Sequence, residues 1–303
     1  MKKSLDWFWF VPFFFLSSFL PFFLPSFLLI EQRLIDAVES GNIEEVEALL
    51  RDHPDLDINW SDDDAEWPVL NWASWNGHAQ IVKLLLAHPD IEVNLLNGGS
   101  TPISLACEVR QVSVVRVLLT DPRVDVTLDD YYGRTPLWFA SYFGHIEIIE
   151  WLIASGKDLG DLSLKGSMMK RKYTALEIAR NQQRDTAALL LEKLLADPAQ
   201  TRHEVRLRLG VLDELAAEVF ALTVFLCDEL LQLKPAHATS TPATTSTNAT
   251  RFFIIAKKLP MELQMVLCHR AVGSGKQNIR HKDSEAAFKS LARILLSSEL
   301  KQA

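Results

Sequence analysis

Cysteine is scarce in this chain. Only Cys107, Cys227 and Cys268 occur in 303 residues, an odd and widely spaced set that excludes a disulfide framework and points to a reducing, intracellular compartment. Positive charge is also in short supply. Lys and Arg number 31 against 39 Asp and Glu, giving a formal charge of −8 and a pI near 5.5. That balance argues against nucleic acid as a partner, because phosphates favour a basic face. Catalytic signatures are missing: the sequence contains no nucleophile elbow, no dinucleotide-binding fingerprint and no zinc-protease pattern, so no enzyme, cofactor or metal is expected.

Two short stretches imitate such sites. Gly273-Ser274-Gly275-Lys276 suggests a phosphate loop, but the first glycine's place holds Arg270, the Ser/Thr place holds Gln277, and a helical pattern rather than a strand precedes it. A polar turn is the expectation. Cys268-His269 has only His281 nearby, short of the four convergent ligands zinc requires, so a buried cysteine beside a surface histidine is expected. The sequons at Asn59 and Asn248 are taken as chance, Asn59 falling in a structural turn of the repeat described below.

What the chain does have is apolar content, 48% of residues with 23% charged, the composition of a globular protein. Its length is large for one compact core and suits a repeat array or two domains. Residues 7–30 are apolar enough and long enough to cross a bilayer, and Lys2 and Lys3 precede them as in a signal anchor. Pro12, Pro21 and Pro25 would interrupt a spanning helix. The positive-inside rule would also carry the rest of the chain across the membrane, at odds with its cysteine usage. All 18 residues from Pro12 to Leu29 are Phe, Leu, Pro or Ser, the residues of all-pyrimidine codons. A translated polypyrimidine tract, a membrane segment and a cleaved signal therefore stand as three readings of this run.

Self-similarity is the strongest signal. The boxes PVLNWA, TPISLA, TPLWFA and TALEIA end at Ala73, Ala106, Ala140 and Ala179, at intervals of 33, 34 and 39 residues. Gly41-Asn42, Gly77-His78 and Gly144-His145 follow an alanine by four residues, and leucine-rich runs come after them. A leading copy, LIDAVESGNIEEVEALL, supplies Ala37 without the first box. Thr135-Pro136 starts a helix where proline is tolerated, and Gly144 ends it where a left-handed residue is needed. Ile146, Ile149, Leu152 and Ile153 recur at helical spacing. No unit buries its apolar face alone, so stacked neighbours must supply the core.

This pattern resembles the ankyrin-repeat family over about residues 34–194. The resemblance implies an all-α solenoid of about five helix-turn-helix units. Departures are visible. The box histidine is replaced by Asn71, Ser104, Trp138 and Glu177; Pro68-Val69 stands where Thr-Pro is expected; Arg110-Gln111 and Gln183-Arg184 replace Gly-His. These put the hydrogen bonds between repeats in question and predict a moderately stable array, loosest at its last repeat.

The resemblance further implies a concave face, lined by the first helices and by finger-like turns near 60–66, 95–99, 128–133 and 161–172. Asp62, Asp63, Asp64 and Glu66 would form one acidic tip and Asp129 with Asp130 another. On this face the expected partner-binding residues are Trp75, Asn76, Glu108, Val109, Tyr142 and Phe143, with Trp138 in the histidine's place and Tyr131 and Tyr132 beside the second acidic tip. The last finger is longer and basic, and Lys170 and Arg171 join the set as a surface for an acidic partner or anionic lipid.

After the array the sequence divides into a helical cap at 195–234, a flexible linker at 235–250 and a helical module at 251–303. Asp197-Pro198 caps and starts a helix, Gly210 breaks it, and Leu212, Leu215, Val219, Leu222, Leu226, Leu230 and Leu233 form a stripe suited to closing the solenoid's end. The low-complexity run 235–250 separates this from helices at 251–272 and 284–300. The segment 259–267, LPMELQMVL, resembles the opening of an F-box, which would imply a substrate adaptor of a ubiquitin ligase. The leading expectation is a cytoplasmic protein–protein interaction scaffold, membrane-anchored only if 7–30 spans a bilayer.

Overall fold

The computed structural model describes residues 20–61, 67–96, 99–227, 252–253, 255–256, 258–274, 276 and 278–300, of which 20–29, 226–227 and 292–300 are described by backbone alone. The chain divides into two compact units, Met1–Pro198 and Ala199–Ala303.

The first unit is a stack of five helix pairs among the described residues: α1 Leu20–Ser40 with α2 Ile43–Asp52, α3 Val69–Asn76 with α4 Ala79–Leu86, α5 Pro102–Glu108 with α6 Val112–Thr120, α7 Pro136–Phe143 with α8 Ile146–Ser155, and α9 Ala175–Asn181 with α10 Asp185–Ala196. Each first helix packs on the next first helix, and each second helix on the next second helix. The core is a continuous seam, from Val38 and Val46 through Ala73, Ile81, Ala106, Val114, Ala140 and Ile149 to Ala179 and Ala187, all fully buried. Alanine recurs at one position of each first helix because a larger side chain there would push the rows apart.

Local chemistry sets the helix ends. Thr101, Thr135 and Thr174 cap α5, α7 and α9, each hydroxyl accepting from the backbone amide three residues on, at 3.1–3.3 Å. At α9 Glu177 Oε2 also accepts from the Thr174 amide at 2.9 Å, completing a capping box. α3 begins behind Pro68 and has no side-chain cap. All five first helices end in a left-handed residue: Gly41 (φ 74°), Gly77 (φ 82°), Arg110 (φ 62°), Gly144 (φ 74°) and Gln183 (φ 56°).

The last finger adds the array's one short sheet among the described residues. β1 Gly166–Met168 and β2 Arg171–Tyr173 form an antiparallel hairpin, Ser167 opposite Lys172. α1 joins the end of the apolar N-terminal run to the first repeat, where Leu34, Ile35, Ala37 and Val38 are buried. Among the described residues no helix is long and apolar enough to cross a membrane. Positions 7–19 of the apolar run lie outside them.

The second unit contains α11 Pro198–Leu209, α12 Val211–Cys227, α13 Met261–Ala271 and α14 His281–Leu300. Gly210 (φ 77°) makes the break between α11 and α12. α12 packs on both α13 and α14. The helices that the sequence divides between a cap and a later module thus share one unit. The buried face of α12 follows the leucine stripe only in part: Leu212 is buried together with Ala216, Ala217, Phe220 and Ala221, whereas Val219 and Leu222 are half-buried and Leu215 is exposed. Alanine permits the close approach of Ala287 and Phe288 from α14, with Phe220 and Phe288 edge-to-face at 6.2 Å. His269 corrects a further expectation. It is buried rather than on the surface, its Nε2 donating to the Asn278 carbonyl at 3.0 Å. Gly273 lies in the turn that ends α13, its amide donating to the Arg270 carbonyl at 3.1 Å, and Lys276 is ion-paired to Asp213. Position 275, between them, lies outside the described residues.

A left-handed backbone costs a residue with a Cβ about 1 kcal/mol more than glycine. Gln183→Gly removes that strain in the last repeat and is expected to raise stability by about 0.5–1 kcal/mol, slowing amide exchange across 175–196. Unchanged exchange there would show that Gln183 carries no such strain.

Candidate functional site

Trp75, Asn76, Glu108, Trp138, Tyr142 and Phe143 of the expected binding set fall on the row of first helices, and one repeated hydrogen bond holds that row together. The side chain after each left-handed residue reaches back to a carbonyl of the preceding repeat. His78 Nε2 donates to Glu39 O at 3.2 Å, Gln111 Nε2 to Trp75 O at 2.9 Å, His145 Nε2 to Glu108 O at 3.2 Å, and Arg184 Nε to Tyr142 O at 3.4 Å. The ties questioned from sequence are therefore present, made by an amide and a guanidinium where histidine is absent. Three of the acceptors, Trp75, Glu108 and Tyr142, are expected binding residues: their carbonyls are held in the stack while their side chains are only partly covered.

The box position supplies a second set of ties. Asn71 Nδ2 donates to Ser100 O at 3.3 Å and Trp138 Nε1 to Tyr173 O at 2.9 Å, each joining one repeat to the next finger. Trp138 is 3% exposed. It cannot offer its ring to a partner, so it leaves the binding set and becomes a strut, its indole reaching the Tyr173 carbonyl of the next finger. A third column uses asparagine. Asn59 Nδ2 donates to Asp90 O at 2.8 Å and Oδ1 accepts from the Glu92 amide at 2.9 Å, and Asn94 does the same with Arg123 and Asp125. The structural-turn reading of Asn59 is borne out.

The surface that remains is aromatic at both ends. Around Trp75, half-buried, Trp67 lies 5.4 Å away and itself meets Trp72 at 5.1 Å. Trp72 Nε1 and Asn76 Nδ2 are buried with no protein partner. Further along, Tyr142 stacks flat on Trp138 at 5.4 Å, Phe143 meets Tyr142 edge-on at 4.7 Å and lies over His145 at 5.6 Å. Phe143 is exposed within this second cluster, and Val109 of the preceding repeat is half-buried.

Charge sits in the middle. Glu108 is half-buried, and burial pushes its carboxyl above the usual carboxylate range; Arg134 opposes this and Asp130 reinforces it. Asp130 is not an exposed acidic tip. Its Oδ1 accepts from the amides of Tyr132 and Arg134, both at 2.8 Å, and its Oδ2 pairs with Arg134 at 2.6 Å, so its charge closes the finger's turn. Arg134 in turn lies 4.8 Å over Tyr132 and 4.7 Å over Phe139. Tyr131 (80% exposed) and Tyr132 (60%) stand open at this tip, with Asp129 exposed beside them. The first acidic tip, 62–66 apart from its flanks, lies outside the described residues.

Lys170 and Arg171 are exposed on the hairpin, whereas Trp75 and Phe143 lie on first helices. Sequence reasoning missed Trp67, Trp72 and Arg134. The clustering of three tryptophans at 67, 72 and 75 was the available signal for the first two; nothing local marked Arg134, whose role depends on Glu108 in the preceding repeat. Among the described residues no group of His, Cys, Asp or Glu could hold a metal ion.

A family model, ankyrin repeats in three copies, matches residues 34–130, 91–163 and 125–202. Among similar proteins, the probable E3 ubiquitin-protein ligase XBOS32 of Oryza sativa subsp. japonica is 33% identical over 125 residues, 41% of this chain and 25% of that protein. Ankyrin repeat and SAM domain-containing protein 6 of Rattus norvegicus is 32% identical over 120 residues, 39% of this chain and 13% of its own length. The E3 ubiquitin-protein ligase XBAT33 of Arabidopsis thaliana is 30% identical over 200 residues, 63% of this chain and 37% of its own. The chain thus spans well under half of each of these relatives.

Glu108 yields a pH prediction. A carboxyl whose folded pKa is raised contributes stability that is present below its unfolded pKa and lost as pH rises through the folded value. Glu108→Gln is therefore expected to match the wild type in acid and exceed it above the usual carboxylate range, by less than about 1 kcal/mol. Urea unfolding at paired pH values measures this, and a constant difference would contradict it.

Proposed function

Since this chain belongs to the ankyrin-repeat family, whose repeats serve protein–protein interaction, we propose that it is a non-enzymatic adaptor that binds a partner protein along the concave face of its array. The binding surface runs from Trp75 and Asn76 through Glu108 and Val109 to Tyr142 and Phe143, with Tyr131 and Tyr132 at the adjacent finger. The observation that carries this reading is the division of roles at these positions: backbone carbonyls tied into the stack, aromatic side chains left partly uncovered. Rigid aromatic surface around a charged centre is the usual composition of an interaction hot spot, because little side-chain freedom is lost on binding.

The partner chemistry that fits is a protein segment with apolar anchors for Trp75 and Phe143. Ionised Glu108 is already disfavoured by burial, so covering it further favours a partner that brings a donor or a cation to it. The test is affinity purification with wild type and the Trp75→Ala/Phe143→Ala variant. The main partner is expected to fall by at least tenfold in the variant, about 1.4 kcal/mol, with helical circular dichroism unchanged. Full recovery of the partner would move the binding surface elsewhere.

A second reading rests on the C-terminal unit. Met261 (60% exposed) and Leu263 (52%) present apolar side chains on α13, within the segment that resembles an F-box, and two relatives are named as E3 ubiquitin-protein ligases. A substrate adaptor would lose a co-purifying ligase subunit on Met261→Ala/Leu263→Ala while keeping its concave-face partner. Absence of any ligase subunit from the wild-type purification excludes this reading.

A further inference from the structure

The hairpin of the last finger has a construction the concave-face function does not use. Its base is tied on both sides. The Ser167 amide donates to Tyr132 O at 2.7 Å, and Tyr173 O accepts from Trp138 Nε1 at 2.9 Å. Gly166 sits so close to Arg134, Trp138 and the Gly133 carbonyl that a Cβ there would stand 2.8–3.1 Å from them. The strands are thus planted firmly in the array.

The tip contrasts with that base. Met169 is 95% exposed at a positive φ of 55°, a backbone conformation unfavourable for a side chain with a Cβ. Lys170, Arg171 and Lys172 follow it, all exposed, and among the described residues none of the three has an ion pair. Lys165 is not counted with them because it pairs with Glu177 at 3.1 Å. Leu164, half exposed, adds apolar surface at the foot of the hairpin. An apolar apex followed by three consecutive cations with no ion pair among the described residues, on a chain of net charge −8, runs against the rest of the protein.

We propose that this hairpin is a membrane-contact finger, seating Met169 in the headgroup layer of an anionic bilayer while Lys170, Arg171 and Lys172 meet lipid phosphates and carboxylates. The arrangement of the charges selects this occupant over an acidic protein. Arg171 and Lys172 are consecutive strand residues, so their side chains leave opposite faces of the hairpin. A protein surface meets one face of a strand pair; a fluid layer of headgroups surrounds the whole tip and reaches cations on both. Met169 likewise projects from an apex where it is almost wholly exposed, and an unbranched thioether adapts to a disordered apolar layer. Contact by one finger is weak and salt-sensitive, so it would orient a protein already brought to a membrane rather than hold it there.

The test is co-sedimentation of the full chain with vesicles of phosphatidylcholine alone and with about 30% phosphatidylserine, read as the ratio of the two partition coefficients. Lipid affinity elsewhere in the chain, residues 7–30 included, is shared by wild type and variants and leaves the comparison between them intact. At low salt the wild-type ratio is expected well above one, falling as salt rises. Lys170→Gln/Arg171→Gln/Lys172→Gln should lower it by on the order of 100-fold at most, about fivefold per cation. Met169→Gly should lower partition to anionic vesicles several-fold while leaving the unfolding midpoint unchanged or higher, because glycine accepts the positive φ. Equal wild-type partition onto both vesicles, or the same ratio in the triple variant, overturns the proposal. Soluble polyglutamate bound by the wild type while anionic vesicles are not would overturn it in favour of an acidic protein partner.

Discussion

Each first helix of the array has to stop and hand the chain to an antiparallel partner, after only about two turns in the four that follow α1, and the left-handed residue at positions 41, 77, 110, 144 and 183 performs that reversal. The same geometry brings the following side chain, at 78, 111, 145 and 184, over the corresponding residue of the preceding repeat. A Cβ on Gly41 would lie 2.7 Å from the His78 ring, and one on Gly144 the same distance from Arg184. Reversal and lateral hydrogen bond are therefore one device: the turn without a side chain makes room for the donor that ties the stack. Each such bond contributes on the order of 1 kcal/mol, yet without it the row of first helices would lose the spacing on which the buried alanines depend. Arg110 shows that the device tolerates a side chain, since His145 of the following repeat still reaches the Glu108 carbonyl beside it.

This separation of backbone from side chain explains why so much of the fold was legible in the sequence and so little of the surface. The boxes at 68–73, 101–106, 135–140 and 174–179 are read directly, because threonine caps, first-turn prolines and the alanine column are demanded by local geometry. Trp138 and Asp130 were misread for a common reason. Each has a side chain whose fate is decided by a group more than one element away or by its own turn: the Tyr173 carbonyl draws the indole inward, and two backbone amides with Arg134 draw the carboxylate in. A residue type suited to a surface is not thereby on the surface when a buried acceptor or donor lies within reach. The leucine stripe of α12 held only in part, with Leu212 buried but Leu215 exposed. Period alone cannot tell which face of a helix meets its neighbour when alanines on the adjacent face allow closer packing.

The same logic bears on how a binding face can vary. Since Trp75, Glu108 and Tyr142 contribute their carbonyls to the stack, their side chains can be exchanged without touching the bonds that hold the repeats together. His145 couples the two roles most closely. It donates to Glu108 O while its ring supports Phe143, and burial lowers its pKa, keeping it neutral at physiological pH. A protonated ring would set a positive charge between Arg110 and Arg184, both of which already disfavour it.

α3 is where this economy is least complete. It lacks a side-chain cap, and Asn71 Oδ1, Trp72 Nε1, Ser74 Oγ and Asn76 Nδ2, all on this one helix, are buried without a protein partner. Buried groups of this kind cost of order 1–3 kcal/mol each relative to satisfied ones. In an array whose stability is close to a sum of repeat and interface terms, such a helix is held by its neighbours rather than by itself. The Asn71 tie to Ser100 and the Gln111 tie to Trp75 attach α3 to the repeat that follows, in which Thr101 caps α5 and Leu105 and Ala106 are buried. The uncapped helix with the densest tryptophan surface is thus carried by its well-formed neighbour, and any partner that orders the Trp67–Trp72–Trp75 cluster acts on the part of the stack with most to gain.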